Sequence, residues 1–218
     1  MVELLIAEKP NSAVKIATAL ADDKVVKNNN KKVPYYEIAH KGKKIIVGCA
    51  VGHLFGLKEV DGKGWIYPTF NYDWFPIYEV NKEVKYTKDY IETLKKLAKQ
   101  ANEFTLCTDY DDEGEVLGLN IIRYICNQKD ANRMKFSTLT KKDLVNAYEN
   151  KFSRLDWGQA NAGLCRHELD WVHGINLSRA LTLALKAAKG GFKVLSIGRV
   201  QGPTLNIIVK KEKEILAF

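Results

Sequence analysis

The apolar positions of this chain fall into short runs, and two of them end the same way. Residues 2–7 read Val-Glu-Leu-Leu-Ile-Ala, a strand pattern, and Glu8-Lys9-Pro10 follows directly. Asn11 or Ser12 can cap a helix running through Val14, Ile16, Ala17 and Leu20. A hundred residues on, Phe104-Thr105-Leu106 leads into an acidic stretch and then a second helical pattern. Strand periodicity predicts Val2–Ala7, Tyr35–Ala39, Lys44–Ala50, Phe104–Thr108 and Met134–Phe136, with helices at Ser12–Leu20, Lys88–Ala101, Val116–Asn127 and Lys141–Glu149. Residues 27–32, with three consecutive asparagines, are expected to be a turn or exposed loop. Residues 52–82 read as irregular and rich in aromatics, best explained as a loop pinned onto the sheet by its rings. Beyond Leu155-Asp156-Trp157 the pattern becomes one long helix over 158–188. Gly190-Gly191 breaks it, and a last helix opens near Gly198 or Gln201 and runs to Ile215, with Pro203 in its first turn. Strands alternating with helices and then helices alone give an α/β first lobe, residues 1–150, and a smaller, mainly helical second lobe, residues 151–218.

Asp109-Tyr110-Asp111-Asp112-Glu113-Gly114-Glu115 places five carboxylates in seven residues. Two carboxylates about 4 Å apart repel by roughly 4 kcal/mol at an effective dielectric near 20. A divalent cation removes that penalty, and hard oxygen donors suit Mg²⁺, which needs only one or two carboxylates with water and phosphate oxygens. The spacing of Asp109 and Asp111 lets both leave a strand end on one face, with Tyr110 pointing to the other. Asp112 and Glu115 are expected to face solvent at the helix start. In an open α/β sheet, ligands gather at the carboxyl ends of strands, so Glu8, Asp109 and Asp111 can reach a single site. The alternative is a solvated acidic helix start favoured by the helix dipole.

Composition narrows the picture. The chain has 218 residues, 46% of them hydrophobic and 28% charged, and it lacks the unbroken apolar run of about 18 residues that a membrane span requires. The N-terminus has no basic-then-apolar signal pattern, and a cytoplasmic setting is expected. Cys49, Cys107, Cys126 and Cys165 form no C-x-x-C pair, which points to reduced, buried thiols rather than zinc or disulfides. Residues 1–134 hold 20 Lys/Arg against 19 Asp/Glu, whereas residues 135–218 hold 14 against 7. The basic excess of the second lobe offers sequence-independent attraction to phosphates. A helix start beside Arg199 adds free backbone N–H groups for an anion.

Glu8 after an apolar strand, with Asp-x-Asp-x-Glu-Gly-Glu a hundred residues later, resembles the Toprim domain, a Rossmann-like fold with a mostly parallel sheet flanked by helices. Leu195-Ser196-Ile197-Gly198-Arg199-Val200-Gln201-Gly202-Pro203 resembles the Ser-x-Gly-Arg-Val-Gln signature of type IA DNA topoisomerases. Gly52-His53-Leu54 and Arg166-His167-Glu168-Leu169-Asp170, with Gly174 and Ser178 downstream, support the same family, in its topoisomerase III-like or archaeal branch.

The resemblance implies ATP-independent breakage and resealing of single DNA strands through a 5′-phosphotyrosyl intermediate. It implies Mg²⁺ held by Glu8, Asp109 and Asp111, with Glu8 as general acid/base. Lys9 and Arg199 would stabilise charge on the phosphate, and Glu113 would orient the metal site. Arg166, Asp170, Ser196, Ile197, Gly198, Arg199, Val200 and Gln201 would line the path of single-stranded DNA, in a nucleoid-associated protein. The chain departs from the family pattern at Asp112 and Trp171, where many relatives carry a basic residue. The family's nucleophilic tyrosine is expected beyond residue 218, so this chain is expected to be an N-terminal fragment, inactive alone. The other enzyme class consistent with the acidic site is a Toprim metal-dependent nuclease or primase-like protein.

Overall fold

The structure is a computed structural model describing residues 2–62 and 64–218; Lys63, inside the stretch 52–82, lies outside the described residues. Its centre is a six-stranded sheet built from β1 (Val2–Ala7), β2 (Val26–Asn30), β3 (Val33–His40), β4 (Lys43–Cys49), β7 (Glu103–Cys107) and β8 (Asn132–Arg133), in the order β2-β3-β4-β1-β7-β8. The pairings β4-β1, β1-β7 and β7-β8 are parallel. The pairings β2-β3 and β3-β4 are antiparallel. The β3-β4 hairpin turns on Lys41 and Gly42 alone, both at positive φ (48° and 77°), the geometry that matches strand twist in a two-residue turn.

Alternation along β1 decides which helices cover which face. Leu4 and Ile6 point into a core filled from α3 (Thr87–Ala98), α4 (Asp112–Tyr124) and the start of α6 (Trp157–Lys189), including Leu94, Leu97, Leu117, Ile121 and Ala160. Leu5 and Ala7 point to the other face, packed by α1 (Pro10–Leu20) and α5 (Lys141–Glu149) through Ile16, Leu20, Leu144 and Tyr148. Both faces of β1 are therefore dry, which is why it reads as an unbroken apolar run.

Three expectations are corrected. The asparagine run is the edge strand β2, not a loop: its polar side chains serve an edge, with Asn30 donating to Thr93 Oγ1 at 2.9 Å. The strand expected at Met134–Phe136 lies two residues earlier, at β8, because a fully buried Arg133 occupies it. Residues 52–82 are not irregular throughout. They hold β5 (Phe55–Glu59) and β6 (Tyr72–Pro76), which pair with each other, and the short helix α2 (Ile77–Val80). Trp74 and Tyr78 do pack against the core, whereas Trp65, Tyr67 and Phe70 are exposed.

The chain divides into two compact units, one of residues up to Gly56 with Trp74–Leu164, the other of Leu57–Asp73 with Cys165–Phe218. This grouping differs from a cut at residue 150. In the second unit, the segment 57–73 is tied to α6 by polar bonds: Arg179 forks onto Glu59, and Asn176 exchanges two hydrogen bonds with the Thr69 backbone, at 2.7 and 3.0 Å. The last helix, α7 (Gln201–Leu216), carries Pro203 in its first turn. Cys49, Cys107 and Cys126 are buried and their thiols are pushed up to about 12 by burial, while Cys165 is exposed, against expectation. Among the described residues no helix is long and apolar enough to cross a membrane.

Candidate functional site

β1 and β7 are parallel neighbours at the centre of the sheet, with Ala7 opposite both Cys49 and Cys107. Their carboxyl ends therefore release Glu8 and Asp109 side by side. The Asp109 amide donates to Glu8 Oε2 at 3.2 Å, and Lys9 Nζ lies 2.9 Å from Glu8 Oε1 and 3.2 Å from Asp109 Oδ2. One ammonium thus bridges two carboxylates that are 101 residues apart in sequence. Hydrogen bonding to Glu8, then to Asp109, raises the Lys9 pKa and keeps it charged. The Glu8 side chain is 14% exposed and that of Asp109 50%, so the pair stands at the carboxyl end of the sheet, open on one side.

Asp111 does not continue the strand. It is the N-cap of α4, extended at φ −149°, and accepts the Gly114 amide at 2.7 Å. Its carboxylate does not join Glu8 and Asp109 in a preformed ligand set, since among the described residues the three do not bring ligand atoms within 4.8 Å of one another. Gly114 is required here: a Cβ would lie 2.3 Å from the Asp109 carbonyl oxygen. Glu113, on the first turn of α4, meets His53 Nε2 at 3.1 Å.

A buried ion pair sets the strand end. Arg133 donates from Nε to Glu115 Oε2 at 2.7 Å and from its terminal nitrogens to the carbonyls of Thr108, Met134 and Asp109, at 2.8, 3.0 and 2.8 Å. The other Glu115 oxygen accepts the Asp156 amide at 2.7 Å. Glu115 is fully buried, not solvent-facing as expected. The pair fixes the main chain on which Asp109 stands.

In the second unit, Asp170, Gly174, Ser178 and Thr182 recur every four residues along α6, one face of a helix. Thr182 Oγ1 accepts the Leu195 amide at 2.9 Å, and Ser178 Oγ accepts the Ile197 amide at 2.9 Å and donates back to its carbonyl at 3.2 Å. One helix turn advances by about the same rise as extended residues two apart, so the row holds residues 195–197 as a strap along the helix. At its end Arg199 forks onto Asp170, with Nε–Oδ1 2.6 Å and a second bond of 3.3 Å. Asp170 therefore engages Arg199, and Arg166 stands exposed one turn before it on the same row. The expected free amides of α7 are mostly taken: Gly202 donates to Gly198 and Thr204 to Val200, at 3.2 and 3.1 Å, and Pro203 has no N–H. Ser196 and Gly198 lie on the strap and its end, while Val200 and Gln201 open the helix.

Residues 3–139 match the family model described as the Toprim domain. The chain belongs to the Toprim family. Residues 154–218 match a second model, described as DNA topoisomerase, which makes this a type IA DNA topoisomerase region carrying a Toprim domain. DNA topoisomerase 1 of Pyrococcus horikoshii is 51% identical over 99% of the chain and 32% of its own length. DNA topoisomerase 1 of Methanocaldococcus jannaschii is 48% identical over 100% of the chain and 28% of its own length. The solved full-length topoisomerase I from Thermotoga maritima matches with a TM-score of 0.63 and 26% identity, over 99% of this chain and 31% of that one. The chain thus spans about a third or less of the length of these relatives.

Within this Toprim fold, the sequence pointed to Glu8, Lys9 and Asp109, and the structure brings those three together. It did not point to Arg133 and Glu115, which position them. Glu115 had a visible signal in the apolar run Val116-Leu117-Gly118-Leu119, followed by Ile121-Ile122: a helix apolar nearly all round is buried, and so is an acid at its start. Arg133 had none. Thr182, which completes the row on α6, was also missed, although its spacing from Gly174 and Ser178 was on display.

Proposed function

We propose that this chain is the N-terminal portion of an ATP-independent type IA topoisomerase that breaks and reseals single DNA strands through a 5′-phosphotyrosyl bond. On this reading it supplies the acidic, Mg²⁺-binding site and part of the single-strand path, and the tyrosine comes from elsewhere in the parent protein. The observation that carries it is the Glu8-Lys9-Asp109 cluster at the carboxyl ends of two adjacent parallel strands.

The residues present fit a magnesium ion. Two hard carboxylates face one cation, the Lys9 ammonium standing where positive charge is wanted. Glu8 and Asp109 would hold the ion, with Asp111 recruited through the oxygen that does not cap α4. Bound there, Mg²⁺ would align and neutralise phosphate oxygens. Lys9 then draws a phosphate toward Glu8, and Glu8 passes a proton to or from the oxygen that leaves or attacks. Glu113 holds His53 beside the start of α4. In the second unit, Arg199 is oriented by Asp170 before any strand arrives, so its remaining N–H groups are aimed at a phosphate without the entropy cost of ordering a long side chain.

Titration calorimetry with Mg²⁺ tests the site. Asp109→Asn with Asp111→Asn removes charge while leaving Asn, a good N-cap, at α4. Binding should be lost with the fold intact. Unchanged binding would overturn the assignment. The second unit's match to a topoisomerase model favours this reading over a stand-alone Toprim nuclease.

A further inference from the structure

Outside the carboxylate cluster, one group of side chains is built like a stacking site. Phe152 is pinned to Arg133 by two reciprocal backbone hydrogen bonds of 2.9 Å, and Arg133 also holds the carbonyl of Asp109, next to Tyr110. Two aromatic residues distant in sequence are thereby referred to one buried arginine. Lys135 lies between them, its Nζ 4.3 Å from the Tyr110 ring centre and 4.9 Å from that of Phe152, and it bonds Asp156 at 2.7 Å.

Both rings nonetheless remain about half exposed, 50% for Tyr110 and 54% for Phe152. Lys135 opens on two cavities. One, of about 320 Å³, is lined by Phe152, Arg154 and Trp157; the other, of about 350 Å³, by Tyr110, Phe136 and Ser137. Each is within the size range of small-ligand sites.

We infer that Tyr110, Lys135, Phe152 and Arg154 form a subsite for single-stranded DNA, in which an unpaired base stacks on an exposed ring and its phosphate meets Lys135 or Arg154. The assignment rests on the topoisomerase reading above. A single strand is specified because stacking needs an unpaired base face, which a duplex does not offer. Tyr and Phe accept any base, so the subsite grips without selecting sequence. Its cation is already in place: Lys135 is held by two rings and a carboxylate, so little order is lost on binding. A purely structural role, Lys135 riveting residues 150–157 to the sheet, accounts for the Asp156 bond but not for two aromatic faces left in water beside open cavities.

The test uses this chain and a fluorescent thymine oligonucleotide, with anisotropy read at several salt concentrations. Tyr110→Leu and Phe152→Leu keep apolar bulk and remove the π-face, and because both rings are half exposed, thermal melting should be unchanged. Each should weaken binding roughly tenfold, and the double variant more. An oligonucleotide carrying 5-iodouracil should photocrosslink to Tyr110 or Phe152, located by mass spectrometry of the digested chain. A wild-type chain that binds in a salt-dependent way, with both variants binding equally well and no crosslink at either ring, overturns the subsite and leaves the topoisomerase reading standing. A wild-type chain with no salt-dependent binding overturns both.

Discussion

Single residues here work through burial more than through exposed chemistry. Glu115 and Arg133 are both fully buried, and each is the other's counter-charge. Removing one partner of such a pair leaves an uncompensated charge in a dry site, at a cost of roughly 3–5 kcal/mol. Glu115→Ala should therefore lower unfolding free energy in urea by about that amount and loosen the Asp109 main chain; a loss under about 1 kcal/mol would mean the pair is dispensable. Glu3 is a second case. Burial alone would raise its pKa, but hydrogen bonds from Lys151, Lys43, Thr105 and Tyr148 outweigh it and hold the carboxyl at about 2, below its ordinary 4.5. Tyr148, buried against that carboxylate, has its own pKa pushed up and stays a donor. Because the folded-state pKa is depressed, the stabilisation is complete above about pH 4.5 and is lost as pH falls toward 2. It amounts to roughly 3 kcal/mol. Glu3→Gln should flatten stability across that window in acid titrations monitored by circular dichroism; an unaltered acid profile would assign the window to other carboxylates.

At the scale of elements, two devices place the candidate site. One is strand adjacency: β1 and β7 are neighbours, so side chains just past their ends meet whatever the loops between them do. This much was legible in the sequence, because an apolar strand, an acid and a helix recur in that order. What was not legible was the helix cap. Asp111 looked like a strand residue by spacing, yet the strand stops at Cys107 and Asp111 turns to cap α4, because the first amides of a helix need an acceptor and Asp supplies one. The other device is the row on α6. Ser178→Ala removes the acceptor of the part-buried Ile197 amide, a hydrogen bond worth roughly 1 kcal/mol. The strap should then exchange its Ile197 and Leu195 amide hydrogens faster, while amides in β1 are unchanged. Single-stranded DNA should bind more weakly, as it should in Arg199→Ala, because Arg199 loses its seat rather than its charge. Normal amide protection at Ile197 in the variant would refute the strap.

On the scale of the whole molecule, the sheet and helices were readable because their signals are local and periodic, and the resemblance extended them to a family. The grouping of residues 57–73 with the end of the chain was not readable, since it depends on Arg179 reaching Glu59, 120 residues away, and no periodicity encodes that. The same limit applies to function. Carboxylates that position a phosphate and a cation do not cut a strand by themselves; a nucleophile is needed. Tyr110, next to the aspartates, is a poor choice, since its ring lies against Lys135 and not with Glu8 and Asp109. Hydrolysis by two ions about 3.5–4 Å apart is the other route. It would call on a second set of carboxylates, but Glu115 is committed to Arg133, and Asp111 divides its two oxygens between the cap of α4 and the first ion. The chain alone should therefore neither nick nor relax supercoiled plasmid in the presence of Mg²⁺. Gel electrophoresis after prolonged incubation reads the result directly. Nicked product that vanishes in an Asp109→Asn control would make the chain a metal-dependent nuclease in its own right, and the phosphotyrosyl reading would fall.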